Sequence, residues 1–183
     1  MKFGSISNMI AAACWVVLLV IWIAAVQEWS ALPETFPMHF DFAGRPDSFV
    51  DKSVVAWFLL PVFASVMNTG LSLLAPLIRW MTLQHPEFVN MPRKALWLKL
   101  DSAARLRTLE PVFGAMRVLQ LIVMALFLFI VVSSAKVASG QWSVMPTWPM
   151  FSFLAAIGAS VVWLLFRSLT AVTKEVRVFS DPL

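Results

Sequence analysis

The sequence predicts an all-α membrane protein: four transmembrane helices in a single domain spanning residues 1–183. Three observations point there. First, 60% of the residues are hydrophobic and mean hydropathy is +0.82. Only 13% are charged, about half the share usual in soluble domains. Second, four uncharged apolar runs are each long enough to cross, or nearly cross, a hydrocarbon core ~30 Å thick. Third, Lys and Arg are unevenly distributed among the segments between those runs. The length leaves no room for a separate soluble catalytic domain.

The first span covers residues 9–26, after a short polar lead from Met1 to Asn8 that carries Lys2. A cleaved signal peptide is the competing reading, because Ala24-Ala25 follows the apolar run; the run is long for a signal core. Residues 27–53 form a polar loop. The second span, 54–78, contains Pro61, Asn68, Gly70 and Pro76. Proline frees a carbonyl and kinks a membrane helix. Asn68 is expected to face another helix and hydrogen-bond there. Residues 79–117 make a basic connector, in which Asp101 is a plausible N-cap and Pro111 should bend or restart a helix. The third span is 118–135 and the fourth 149–166. In the fourth, Ala155 with Ala159, and Ala156 with Ser160, suggest close helix contact. A tail runs from Arg167 to Leu183.

Charge sets the expected orientation. Lys2, Arg79, Arg93, Lys94, Lys99, Arg105, Arg107, Arg117, Arg167, Lys174 and Arg177 fall on one side. Arg45, Lys52 and Lys136 fall on the other. Excess Lys and Arg mark the cytoplasm, so both termini and the basic connector are expected inside and the 27–53 loop outside. Trp29, Trp142 and Trp148 then sit at the outer interface and Trp80 at the inner one. The net charge of +4 is explained by this topology and calls for no nucleic acid. Arg93, Lys94, Lys99, Arg105 and Arg107 are candidates for anionic lipid head groups. Cys14, alone in an apolar run, has no disulfide or metal partner of its own kind.

The outer loop is the expected functional surface, and an ordered one. Pro33, Pro37 and Pro46 cannot continue a helix, and Gly44-Arg45-Pro46-Asp47 reads as a tight turn. His39, with Asp41 and Asp47, offers a metal or acid–base site, but lacks any spacing specific for a metal. The expectation is instead that His39 is at least partly buried and hydrogen-bonded to an acid or backbone group of the same loop. No nucleophile elbow, phosphate loop or paired cysteines are present, and no cofactor is implied. No charge lies well inside a span, where proton-coupled transporters usually keep one.

The pattern Leu32-Pro33-Glu34-x-x-Pro37-x-His39-Phe40-x-x-x-Gly44-x-Pro46-Asp47 resembles the signature of a bacterial membrane domain of unknown function. That domain forms the N-terminal part of the SdpI-type immunity proteins. Asn90-Met91-Pro92-Arg93-Lys94 and Trp97-Leu98 resemble elements that follow the second span in its short members. The resemblance implies a bacterial inner-membrane location, and makes Pro33, Pro37, His39, Phe40, Gly44, Pro46 and Asp47 family positions; with Asp41 they are the candidate ligand-binding or structural residues of the loop. SdpI-type proteins sense and protect against a secreted toxin and carry further spans. The expected function is non-enzymatic: a binding, sensing or immunity-like module, or an accessory subunit of a membrane complex. Its expected partners are the bilayer and other membrane subunits or further copies of itself. A small membrane enzyme or metal-dependent site on the loop is the rival reading, and a transporter component the third.

Overall fold

A computed structural model describes residues 3–180, with side chains from 6 to 177. Lys2 and the ends of the polar lead and of the tail lie outside the described residues. The helices are α1 (Phe3–Trp29), α2 (Val54–Gln84), the short α3 (Lys94–Trp97), α4 (Ser102–Ala138) and α5 (Thr147–Ser180). Four of them are long and apolar enough to cross a membrane. The chain is therefore a multi-pass membrane protein whose surroundings are a lipid bilayer.

The fold is mostly helical, with one correction to the all-α expectation. The loop between α1 and α2 holds an antiparallel hairpin, β1 (Thr35–Phe40) and β2 (Pro46–Asp51). Helix α4 is the centre of the bundle: α1, α2 and α5 all pack on it, while α5 packs chiefly on α4 alone. Every spanning helix also overruns its apolar stretch. At 1.5 Å per residue, α4 is about 55 Å long, well beyond a ~30 Å core. Its first four turns belong to the segment expected to be a connector. Asp101 caps it as expected, its carboxylate accepting from the Ala104 N–H at 2.7 Å. Pro111 does not restart the helix, which runs through it as one element.

Two cores result. The first joins Cys14, Leu18, Ile21 and Ala25 of α1, spaced along one face, to Trp57 and Ala64 of α2 and Met124, Val131 and Ala135 of α4. Trp57 Nε1 donates to the Ala25 carbonyl at 2.7 Å, and Trp22 Nε1 to Ser65 Oγ at 2.9 Å. Polar bonds add a tie deeper in the bundle. Gln120 Nε2 donates to Asn68 Oδ1 at 2.7 Å and to Ser72 Oγ at 2.9 Å, and Gln120 Oε1 accepts from Arg117 at 2.8 Å. Asn68 thus faces another helix; such bonds contribute on average ~0.6 kcal/mol.

The second core lies at the opposite end from the hairpin. Val89, Met91, Trp97 and Leu100 of the connector pack on Ala104, Leu109 and Phe113 of α4 and on Val172 and Val176 of α5. Trp97 is fully buried and donates through Nε1 to Thr108 Oγ1 at 3.0 Å. The small residues of α5 divide. Ser160 is buried and Ala156 half-buried, while Ala155 and Ala159 are exposed. Only the Ala156/Ser160 pair lies on the packed face.

Candidate functional site

The hairpin turn is built from one carboxylate. Asp41 Oδ1 accepts from the N–H groups of Ala43 at 2.8 Å and Arg45 at 2.9 Å, and Oδ2 accepts from Arg45 Nε at 2.8 Å. The Gly44 N–H donates to the Asp41 carbonyl at 2.9 Å, and the Asp41 N–H to the Arg45 carbonyl at 2.9 Å. Gly44 takes φ +78°, the left-handed conformation glycine adopts without strain. The turn is therefore Asp41–Arg45, not Gly44–Asp47. Pro46 opens β2, a strand position that tolerates a residue lacking an N–H. The backbone N–H of Arg45, ahead of its guanidinium, holds the Asp41 carboxyl below the usual carboxylate range.

Three sets of contacts hold this hairpin in place. Phe36 is buried edge-on against Trp57, with ring centroids 5.5 Å apart. At the base, the Lys52 N–H donates to the Glu34 carbonyl at 2.7 Å, and Lys52 Nζ donates to the Leu32 carbonyl at 2.9 Å. At the tip, the Gly44 carbonyl accepts from the Met145 N–H at 2.8 Å. A Cβ on Gly44 would overlap the Met145 carbonyl oxygen. The segment between α4 and α5 thus closes over the hairpin tip, a contact that sequence reasoning missed. Gly44 was singled out, but as a turn residue; Met145 carries no motif.

The other hairpin face is open. His39 Nδ1 lies 2.6 Å from Asp47 Oδ1, with the two side chains 70% and 45% exposed. His39 is bonded to an acid of the same loop, as expected, but the expected partial burial is incorrect. The register slips on both sides of His39, and the anchoring falls to Phe36 and Pro37, which are buried. Phe42, at the tip, is 93% exposed.

Asp41 is committed to the turn through both carboxylate oxygens. Among the described residues no three His, Cys, Asp or Glu side chains group as a metal site.

Two cavities flank β1. One, of about 120 Å³, lies beneath the strand and is lined by Phe36, Met38, Trp57, Leu60 and Val131 among others. The second, of about 330 Å³, opens between the hairpin and the first turns of α5. His39, Asp41 and Asp47 form its polar wall, and Met150, Phe151 and Leu154 its apolar one. The α5 contribution was not foreseen, because nothing in the sequence pairs α5 with a loop a hundred residues earlier.

The basic candidates at the far end are differently disposed. Arg107 Nη2 meets Glu175 Oε2 at 3.1 Å, and the Arg105 guanidinium lies 5.9 Å from the Trp97 ring. Lys99 is exposed and Lys94 half-buried. Arg93 is exposed, at φ +53°, a conformation uncommon outside glycine.

The sequence matches the domain of unknown function DUF1648 over residues 10–64, which takes in most of α1, the hairpin and the first turns of α2. It is similar to an uncharacterized protein of Archaeoglobus fulgidus, at 27% identity over 77 residues. That alignment covers 42% of this chain, and the chain spans about two fifths (41%) of the relative's length. No solved structure matches the chain.

Proposed function

We propose that this chain is a non-enzymatic binding or sensing module of the bacterial inner membrane. In this reading it is one four-span domain, with both termini in the cytoplasm and the hairpin presented outside. The observation that carries the reading is the division of labour within the hairpin. Asp41, Gly44, Phe36 and Lys52 are used up in holding it, and all point into the protein or the turn. His39, Asp47 and Phe42 hold nothing to the bundle, yet stand on the surface that the anchors present. An exposed polar and aromatic group on an anchored scaffold supports a binding role over a structural one. His39 in particular moves from a loop-stabilising role to a ligand-facing one.

The resemblance of the 32–47 motif to SdpI-type proteins supports an immunity-like or sensing role. The broad unpartnered face of α5 supports an accessory subunit. The exposed connector cations, Arg93 and Lys99, support contact with anionic lipid on the inner side. The test is to purify the intact protein in mild detergent beside a Leu154→Trp variant that fills the α5 cleft. A component that remains with the native protein and is lost from the variant is expected. Identical copurifying material from both would contradict a hairpin-centred role.

A further inference from the structure

We propose that the cleft between the hairpin and α5 binds a cationic amphiphile. Its class is a primary or quaternary alkylammonium, with the chain against Met150, Phe151 and Leu154 and the ammonium beside Asp47. The proposal rests on the outward-facing binding reading and names the ligand class of that site.

The α5 side of the cleft is mainly apolar, and the hairpin side carries the acidic groups alongside Phe40 and Phe42. The apolar wall comes from the start of a membrane-spanning helix, and Phe151 and Leu154 are about half exposed there. Leu154 is seven residues into α5, about 10 Å from its start at 1.5 Å per residue. The apolar wall therefore reaches down into the hydrocarbon edge. The polar wall stands above it and carries two carboxylates, Asp41 and Asp47, with the His39 imidazole. Among the described residues no Lys or Arg lines the cleft. Arg45 is held on Asp41 Oδ2, and Lys52 is tied to the base of the hairpin.

One contribution opposes a cation. The N-terminus of α5 at Thr147 lines the same cleft and carries roughly half a positive charge. Asp41 is already partnered by Arg45, so Asp47, bonded to the His39 imidazole, supplies the charge that a ligand would meet first. The volume of about 330 Å³ suits a single chain with a compact head. An anionic amphiphile would bring its charge against the carboxylates, and an uncharged one would leave the polar wall unused.

The test uses the full chain in phosphatidylcholine nanodiscs, carrying Cys14→Ser and Ser48→Cys. Ser48 pairs with His39 across the hairpin, so an environment-sensitive dye there reports on the cleft. Dodecylammonium is expected to give a saturable response at a concentration about tenfold below that needed for dodecanol or dodecyl sulfate. Asp47→Asn should remove about that tenfold preference, and Leu154→Trp should abolish the response. Asp47 is exposed, so its variant is not expected to misfold. Equal responses to dodecylammonium and dodecanol, no response to any of the three, or an unchanged preference in Asp47→Asn would overturn the proposal. Nanodiscs expose both ends of the protein. Failure here would leave the outward orientation standing, and a reversed orientation in cells would leave this result standing.

Discussion

At the hairpin end, a short segment is held by backbone hydrogen bonds, one buried aromatic ring and the side chains of Asp41 and Lys52, and His39 and Asp47 are left at the surface. At the connector end, a segment of similar length is held by a core of its own around Trp97, and arginines of the adjoining helix ends make contacts there. The hairpin end keeps His39 and Asp47 paired only with each other. The connector end lays Arg105 against Trp97, pairs Arg107 with Glu175 and pairs Arg79 with Glu110 at 2.6 Å. The difference teaches that the connector end has a core of its own, whereas the hairpin end leaves His39 and Asp47 exposed. It also suggests where substitutions will hurt: in side chains at the connector end, and in the backbone at the hairpin end.

The largest effect is expected at Trp97. Trp97→Ala removes a fully buried ring and its bond to Thr108, and should cost about 3–5 kcal/mol, read as a lower thermal midpoint in detergent. A smaller loss would mean that the connector core is looser than its burial indicates. Gly44→Val comes next. It forces a branched residue into a left-handed conformation and into the Met145 carbonyl, and should cost about 3 kcal/mol. Gly140 provides the control: its φ is +73°, but a Cβ there meets open space. Gly140→Ala should therefore cost only about 1 kcal/mol. Equal losses at the two glycines would show that the hairpin clasp contributes nothing.

Acid should loosen the hairpin before the connector end. The Asp41 carboxyl is held below its ordinary range in the fold. Its contribution is therefore present above the unfolded pKa of about 3.9 and lost as pH falls through the lower folded value. A dye on Ser48→Cys should report the change below about pH 4, and Asp41→Asn should remove it. The smallest effect is expected at His39. His39→Ala removes an exposed pair and should cost less than about 1 kcal/mol. A loss of several kcal/mol would return His39 to a structural role.

Much of this fold was legible in the sequence, and the reason is physical. A run of 18 or more apolar residues has few alternatives to a membrane helix. Helix ends were less legible, because residues 102–117 and 167–180 mix charge with apolar residues and carry no hydrocarbon-length signal. The hairpin was hidden by its prolines. Pro37 and Pro46 remove N–H groups and read as breakers, while the strands they sit in are only six residues long. Within the candidate site, His39, Asp41 and Asp47 were singled out as a possible metal or acid–base set, and Gly44 as a turn residue. Met145, Phe151 and Leu154 were not, since their role comes from packing across the chain.

The most direct measurement concerns which way these two ends face. With Cys14→Ser as background, one cysteine is placed at Ser48 on the hairpin and another at Lys99 on the connector, both exposed positions. Intact cells are treated with a membrane-impermeant thiol reagent. The account predicts that the Ser48 position is labelled at once, and that the Lys99 position is labelled only after the cells are opened. Labelling of the Lys99 position in intact cells, with the Ser48 position protected, would contradict it.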